Sequence, residues 1–190
     1  QEELLRAVEA TGKPTVLVMI NGRPNSVNWA DAHVDAIVEA WYPGAHGGQA
    51  IYEVLFGEYN PGGKLTVTFP RHVGQIPFNF PYKPAANTDG GLTPGPDGNQ
   101  TRVNGALYDF GYGLSYTTFE YTNLLVEPQT IHGDEPFTVS FDVTNTGPRS
   151  GDEVVQLYIH DMLSTVTTYE KNLRGFDRVH LRSARRICRC

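Results

Sequence analysis

Carboxylate side chains are the groups in this chain with the clearest capacity for acid–base or nucleophilic chemistry. Such a reaction needs two carboxyl groups close together, and one of them commonly has a raised pKa because it is desolvated. The candidates lie in or beside predicted helices and strands, or in a long glycine- and proline-rich stretch, and none has neighbours that predict burial or a partner. We therefore expect each to be a solvated surface charge: Asp31, Asp35, Glu39, Glu53, Glu58, Asp89 and Asp97.

Metal binding and cysteine chemistry are not predicted, and no cofactor is expected. No two histidines have the spacing of metal ligands. His46 has the most functional context, because it follows a predicted strand at a sheet edge, where ligand sites of α/β proteins collect. Cys188 and Cys190 are separated by one residue, which is poor geometry for a disulfide and too few ligands for a metal. The other histidines are predicted to be structural or surface residues: His33, His72, His132, His160 and His180.

The glycine-rich segment PGAHGG at residues 43–48 precedes a predicted helix, a position where backbone amides can bind phosphate. However, Gln49 and Ala50 follow it where a phosphate-binding loop requires Lys and then Ser or Thr, and the GxGxxG spacing is also absent. We interpret the segment as a tight strand-to-helix turn. A G-x-S-x-G nucleophile elbow is absent as well, since GLSY at residues 113–116 does not complete it.

The net charge of −6 argues against a nucleic-acid partner, because binding to phosphates requires a clustered basic surface. No run of about 18 apolar residues predicts a membrane-spanning helix. The ten Tyr and nine Phe are compatible both with β-sheets and with carbohydrate contact, and we favour the structural interpretation. Four arginines are concentrated in the last nine residues: Arg182, Arg185, Arg186 and Arg189.

The first part of the chain predicts helices and strands in alternation, which is typical of an α/β domain with a mostly parallel sheet. Helices are predicted over 1–10, 29–34 and 49–56. The apolar run TVLVMI at 15–20 predicts a strand buried on both faces, and further strands are predicted over 36–42 and 64–69.

The second part predicts a β-sandwich, because short runs of alternating apolar and polar residues are separated by turn signals. The clearest run is FTVSFDV at 137–143, and strands are predicted over 121–131, 136–145 and 153–160. Between the two parts, residues 70–104 are rich in Pro, Gly, Asn and Asp, which predicts a functional loop or a linker. This stretch contains an N-glycosylation sequon at Asn99.

Three long blocks resemble glycoside hydrolase family 3 of the β-glucosidase type, and they come in the order found in that family. The blocks are GKPTVLVMINGRPNSVNWA, then AIVEAWYPGAHGGQAIYEVLFGEYNPGGKLTVTFPRHVGQIPFNF, then YDFGYGLSYTTFEYTNL. The later segments FTVSFDVTNTGPRSGDEVVQLYIHD and LRGFDRVHL resemble the fibronectin type III-like domain that ends many of these enzymes.

The resemblance implies a retaining double displacement on β-linked glucosides or oligosaccharides. It places the Asp nucleophile in an N-terminal (β/α)8 barrel and the Glu acid/base on a loop just before an element whose last residue resembles Gln1. We therefore assign no catalytic residue, no substrate-binding residue and no metal ligand here, and we expect this fragment to be inactive without the barrel. The resemblance also implies a periplasmic or extracellular location.

The domain organisation follows from the same resemblance. Residues 1–80 are expected to be the C-terminal part of an α/β-sandwich domain, 81–118 a long loop or linker, and 119–181 a truncated, immunoglobulin-like fibronectin type III-like domain. Residues 182–190 (RSARRICRC) are an atypical basic tail where further strands would be expected. The alternative is a non-catalytic carbohydrate- or protein-binding module that uses the 70–104 stretch with Tyr82 and Tyr108.

Overall fold

A computed structural model describes residues 1–75, 77–84, 91–94, 100–133 and 135–183 of the chain. The chain forms two compact units, each assembled from separate stretches of sequence. Unit 1 comprises Gln1–Glu53, Leu65–Tyr112 and Tyr158–Arg174, and unit 2 comprises Val54–Lys64, Gly113–Leu157 and Gly175–Cys190. The Asn99 sequon, both cysteines and the arginines of the tail after Arg182 lie outside the described residues.

The first part of the chain alternates helices and strands, as predicted. Its elements are α1 (Glu2–Glu9), β1 (Val16–Met19), α2 (Asn28–His33), β2 (Ala36–Glu39) and α3 (Gly47–Leu55). β1 and β2 pair in parallel, with Met19 opposite Glu39 at the last position. Because parallel strands end at the same edge of a sheet, the segments that follow β1 and β2 come together there.

Two predicted strands in this part need correction. β1 is not buried on both faces, because Val16 is 45% exposed while Met19 is 9% exposed. The strand predicted over 64–69 is wrong, since β3 covers only Phe69–Pro70 and pairs with β6 (Ala106–Tyr108). The sequence alternates between polar and apolar residues there, but Thr68 and Phe69 are both buried, which a strand with one buried face does not allow.

The range 81–118, expected to be a loop or linker, contains strands. β4 (Gly91–Pro94) and β5 (Gln100–Asn104) form an antiparallel hairpin, and β6 follows. This stretch is polar and lacks the alternation of apolar and polar residues that predicts a strand. The hairpin is held by backbone hydrogen bonds, which do not depend on such alternation. Among the described residues, β1 pairs with β2 in parallel, whereas the pairs β3–β6, β4–β5 and β7–β8 are antiparallel. A mostly parallel sheet is therefore not confirmed.

Unit 2 is built largely from four strands: β7 (Phe119–Glu127), β8 (Thr138–Asn145), β9 (Gly151–Ile159) and β10 (Asn172–Leu181). β7 pairs antiparallel with β8, and β9 is hydrogen-bonded to β10. The alternation of 137–143 correctly predicted β8, whose Val143 is fully buried. The core joins three buried residues to three half-buried ones: Val143, Val155 and Leu181 with Phe119, Phe141 and Val179.

A fully buried asparagine, Asn145, ends β8 and connects it to its surroundings. Its side-chain oxygen accepts hydrogen bonds from the Thr117 hydroxyl at 2.7 Å and from the Gly147 backbone N–H at 3.0 Å. Its side-chain nitrogen donates to the carbonyls of Arg149 at 2.7 Å and Leu181 at 3.1 Å. Since Leu181 is the last residue of β10, this amide joins β8 to β10 with all four of its hydrogen bonds satisfied.

Replacing Asn145 with Leu is expected to lower the free energy of unfolding by about 3 kcal/mol, because buried partners of the amide lose their hydrogen bonds. Urea-induced unfolding monitored by circular dichroism measures the change. The control is Asn79→Ala at an exposed asparagine, for which we expect a change within about 0.5 kcal/mol. Equal stability of the Asn145 variant and the control would contradict this role.

Candidate functional site

The edge where β1 and β2 end is the candidate functional site in unit 1. Glu39, the last residue of β2, is half-buried there. One of its carboxylate oxygens accepts a hydrogen bond from the Trp41 backbone N–H at 3.0 Å, and the other accepts one from the Asn21 side-chain amide at 3.3 Å. The Asn21 oxygen in turn accepts from the Arg23 backbone N–H at 3.1 Å. Glu39 therefore connects the segments that leave both strands.

The backbone at this edge is strained at Trp41. Its φ of 50° lies in the left-handed region, which a bulky residue rarely adopts. The hydrogen bond to Glu39 holds this conformation, as does packing of the indole on Phe69, with ring centroids 6.0 Å apart. Phe69 is 1% exposed and anchors the contact. Strain of this kind costs about 1–3 kcal/mol and is concentrated at functional sites.

The next residue, Tyr42, is 77% exposed yet held in place. A Cβ added to Gly22 would lie 2.7 Å from Cε2 of the Tyr42 ring and 3.1 Å from its Cζ. The ring therefore lies directly against the Gly22 backbone, and only glycine leaves room for that approach. The result is an aromatic ring that faces solvent but has a defined position.

A second aromatic cluster in unit 1 surrounds Tyr108. Its hydroxyl donates to the Asp31 carboxylate at 2.6 Å, and its ring stacks on Tyr112 with centroids 5.4 Å apart. Burial, followed by the bond to Asp31, raises the pKa of the Tyr108 phenol well above its usual value. The phenol therefore stays protonated and acts as a hydrogen-bond donor.

Four of the carboxylates expected to be solvated surface charges also accept hydrogen bonds from the chain, which the sequence did not predict, although Asp31 and Asp35 are exposed. Asp35 shows the reason: it precedes β2, Thr15 precedes β1, and parallel pairing brings the Thr15 backbone N–H to 2.7 Å from the Asp35 carboxylate. Glu58 is exposed. Hydrogen-bonded carboxylates are Asp31, Asp35, Glu39 and Glu53, while Asp89 and Asp97 lie outside the described residues.

The histidines lie at the surface. His33 stacks on Trp29 with ring centroids 4.4 Å apart, and the Arg6 guanidinium lies 4.5 Å from the Trp29 centroid. His46 is an exposed residue just before α3. Within the described ranges, no three His, Cys, Asp or Glu side chains are placed to hold a metal ion. The remaining histidines are also exposed: His72, His132, His160 and His180.

An open polar cavity of about 490 Å³ lies in unit 2, next to Asp152. One oxygen of the Asp152 carboxylate is 2.6 Å from Nδ1 of His180, and the other accepts a hydrogen bond from Nε of Arg178 at 2.8 Å. Arg178 also donates to the Tyr59 hydroxyl at 2.8 Å. The bond to His180, and then the Arg178 guanidinium, hold the pKa of the Asp152 carboxyl below its usual value. No pattern in the sequence predicts this cluster, since Tyr59, Asp152 and the strand β10 that carries Arg178 and His180 lie far apart in the chain.

Among the described residues of unit 2, the most shielded ion pair joins Lys64 to Glu153. The ammonium lies 3.2 Å from a Glu153 oxygen, with 14% and 12% of the two side chains exposed. Lys64 also donates to the Gly113 carbonyl at 2.9 Å, and Glu153 accepts from the Tyr121 hydroxyl at 2.9 Å. Burial, followed by this bond to Glu153, raises the pKa of Tyr121. Each of the two charged groups therefore also makes a hydrogen bond to a neutral group.

Two family models match this chain. The model of the glycosyl hydrolase family 3 C-terminal domain matches residues 1–116, and that of the fibronectin type III-like domain matches residues 153–185. The chain belongs to glycosyl hydrolase family 3. The resemblance predicted from the sequence is therefore confirmed.

Individual relatives of this family 3 chain support the same assignment. The periplasmic beta-glucosidase of Salmonella typhimurium is 44% identical across 98% of this chain, which corresponds to 25% of that protein. A beta-xylosidase of Formosa agariphila is 43% identical across 96% of this chain and 24% of its own length. The solved β-glucosidase EmGH1 of Erythrobacter marinus has a TM-score of 0.84 and 40% identity, covering 97% of this chain and 23% of that one. The chain thus spans about a quarter of the length of these relatives.

None of the described helices has the length and apolar character to cross a bilayer.

Replacing Lys64 with Met in this family 3 chain is expected to lower the free energy of unfolding by about 2 kcal/mol, because Glu153 keeps a shielded charge without its cation. Chemical denaturation measures the loss. The control is Glu2→Gln, which breaks the exposed Arg6–Glu2 pair (51% and 61% exposed) and should cost less than about 1 kcal/mol. A Lys64 variant as stable as the control would contradict the role of the shielded pair.

The Asp152 cluster predicts an acid-sensitive contribution to stability. Because the pKa of Asp152 is lower in the folded chain than its unfolded value of about 3.9, the ionised carboxylate stabilises the fold above about pH 4, and this is lost as the pH falls through the folded pKa. The stability difference between the native chain and Asp152→Asn should therefore shrink from about pH 5 towards about pH 2. Denaturation midpoints at several pH values measure it. A difference that stays constant over this range would contradict the assignment.

Proposed function

We propose that the whole protein to which this chain belongs is a retaining β-glycosidase that hydrolyses terminal β-D-glucosyl or related residues. The observation that carries the proposal is the match to β-glucosidases and β-xylosidases across nearly all of this chain. A relative named β-glucosidase and one named β-xylosidase match almost equally well, at 44% and 43% identity. The proposed substrate class is therefore a β-linked glucoside, xyloside or oligosaccharide. The proposed location is periplasmic or extracellular, which the name of the Salmonella relative supports.

We assign the chemistry to residues outside this chain. A retaining glycosidase needs two carboxyl groups about 5 Å apart, one as nucleophile and one as acid/base. The proposal is supported by the engagement of Asp35 and Glu39 in hydrogen bonds from the backbone, which suit a structural task. The partner of this chain is then an N-terminal barrel domain, and the chain contributes the scaffold beside the active site.

The finer architecture is part of the same proposal. Residues 1–80 would belong to an α/β sandwich with a mostly parallel sheet, completed by strands that other parts of the protein supply. Residues 119–181 would form an incomplete immunoglobulin-like sandwich, with the change of domain inside 81–118. The end of the family 3 C-terminal match at residue 116 supports a boundary in that range.

A chimera tests the function. The C-terminal segment of the Salmonella typhimurium β-glucosidase that matches this chain is replaced with this chain, and hydrolysis of aryl β-D-glucosides and aryl β-D-xylosides is measured. We expect the chimera to hydrolyse at least one of them, because the family 3 scaffold is restored. We expect the 190-residue chain alone to show no turnover above a buffer blank.

The control for the chimera is the same relative truncated before the exchanged segment, which we expect to be inactive. Turnover by the isolated chain that is lost on replacing one of its own carboxylates would overturn the assignment of catalysis to another domain. A chimera that is folded and inactive on both substrates would overturn the proposed function.

A further inference from the structure

We propose that Tyr42 is a stacking platform for one pyranose ring of the substrate, at the edge where β1 and β2 end. The inference rests on the proposed function for the class of ligand, and on the geometry of this edge for the residue. Ligands of open α/β sheets bind outside the carboxyl ends of parallel strands, which is where Tyr42 lies, three residues after the end of β2.

The Tyr42 ring is exposed, and it rests on the backbone of another segment. An exposed tyrosine normally samples several rotamers, and ordering it on binding costs conformational entropy. Tyr42 is 77% exposed, but its ring lies against the Gly22 backbone, where an added Cβ would approach Cε2 to 2.7 Å. A ring already held in one position offers an apolar face to the C–H groups of a sugar without that cost.

The backbone is strained at the residue that precedes this ring. Trp41, directly before Tyr42, has a φ of 50°, and the Glu39 carboxylate accepts its backbone N–H at 3.0 Å. The same carboxylate holds Asn21, which precedes Gly22, through the Asn21 amide at 3.3 Å. One side chain thus fixes both the segment that carries the ring and the segment on which the ring rests.

Polar side chains lie at the same edge of the sheet as the Tyr42 ring. Arg23 is exposed and follows Gly22 in the chain, so it can supply hydrogen-bond donors to hydroxyl groups. The Asn21 and Glu39 side chains lie at the same edge. An aromatic face with donors and acceptors at its border fits a neutral polyhydroxylated ring better than an anion or an extended apolar chain.

The test is a titration of the 190-residue chain with cellobiose, followed by amide NMR shifts and compared across variants. We expect a saturable shift at the Gly22 amide. Tyr42→Ala should weaken binding by about fivefold or more, while Tyr42→Phe and Tyr42→Trp should retain it because the aromatic face remains. Tyr52→Ala, at another exposed tyrosine on α3, should leave binding unchanged.

Gly22→Ala tests the position of the ring without removing it. The φ of Gly22 is not in the left-handed region, so alanine is compatible with the backbone, and the new Cβ displaces the movable end of the Tyr42 side chain. We expect an unchanged melting temperature and binding weakened as strongly as in Tyr42→Ala. The matched control is Gly48→Ala, whose Cβ would meet nothing within 4 Å.

Absence of a saturable shift, or binding that is equal in Tyr42→Ala and the native chain, overturns the platform. Either result can coexist with an active chimera, in which case the inference fails while the proposed function stands. Conversely, binding that depends on Tyr42 together with an inactive chimera keeps the platform and rejects the hydrolase.

Discussion

The side-chain amide of Asn145 satisfies four hydrogen-bonding groups at a place from which solvent is excluded. Two of these groups belong to turns, at Thr117 and Gly147, and one is the carbonyl that ends β10. Hydrophobic contacts in unit 2 are few, since Val143, Val155 and Leu181 are the residues of its buried cluster. Apolar burial is not directional, so a small core does not fix how the surrounding segments are placed. The hydrogen bonds of the Asn145 amide fix their positions instead.

Unit 1 uses a carboxylate for a similar purpose. Glu39 binds a backbone N–H of one segment and a side-chain amide of another, and so fixes two loops by one residue at the end of a strand. Glu39 contributes more to the local conformation of these loops than to the stability of the fold, because exposed or half-exposed charges contribute little to the free energy of folding. This explains how a short parallel pair can hold a strained tryptophan and a fixed, exposed tyrosine.

Periodicity predicted the elements whose faces differ in polarity, such as β8 and the helices α1 and α3. It failed for residues 64–69, where neighbouring residues are both buried, and for β10, which charged residues interrupt. The polar contacts were beyond prediction for a different reason. Asp152 with Arg178, and Gly22 with Tyr42, are brought together only by the tertiary fold, and no spacing in the sequence encodes them.

The interleaving of the two units has a consequence for folding during synthesis. Residues Val54–Lys64 are made early but belong with strands that begin after Gly113, and Tyr158–Arg174 return to a unit that starts at Gln1. Neither unit can be completed until most of the chain has left the ribosome. Contacts that join an early stretch to a late one, such as Lys64 with Glu153 and Gly57 with Arg149, therefore form late, and their high sequence separation favours slow folding. Until those late residues are made, the early stretches expose surface through which nascent chains can aggregate.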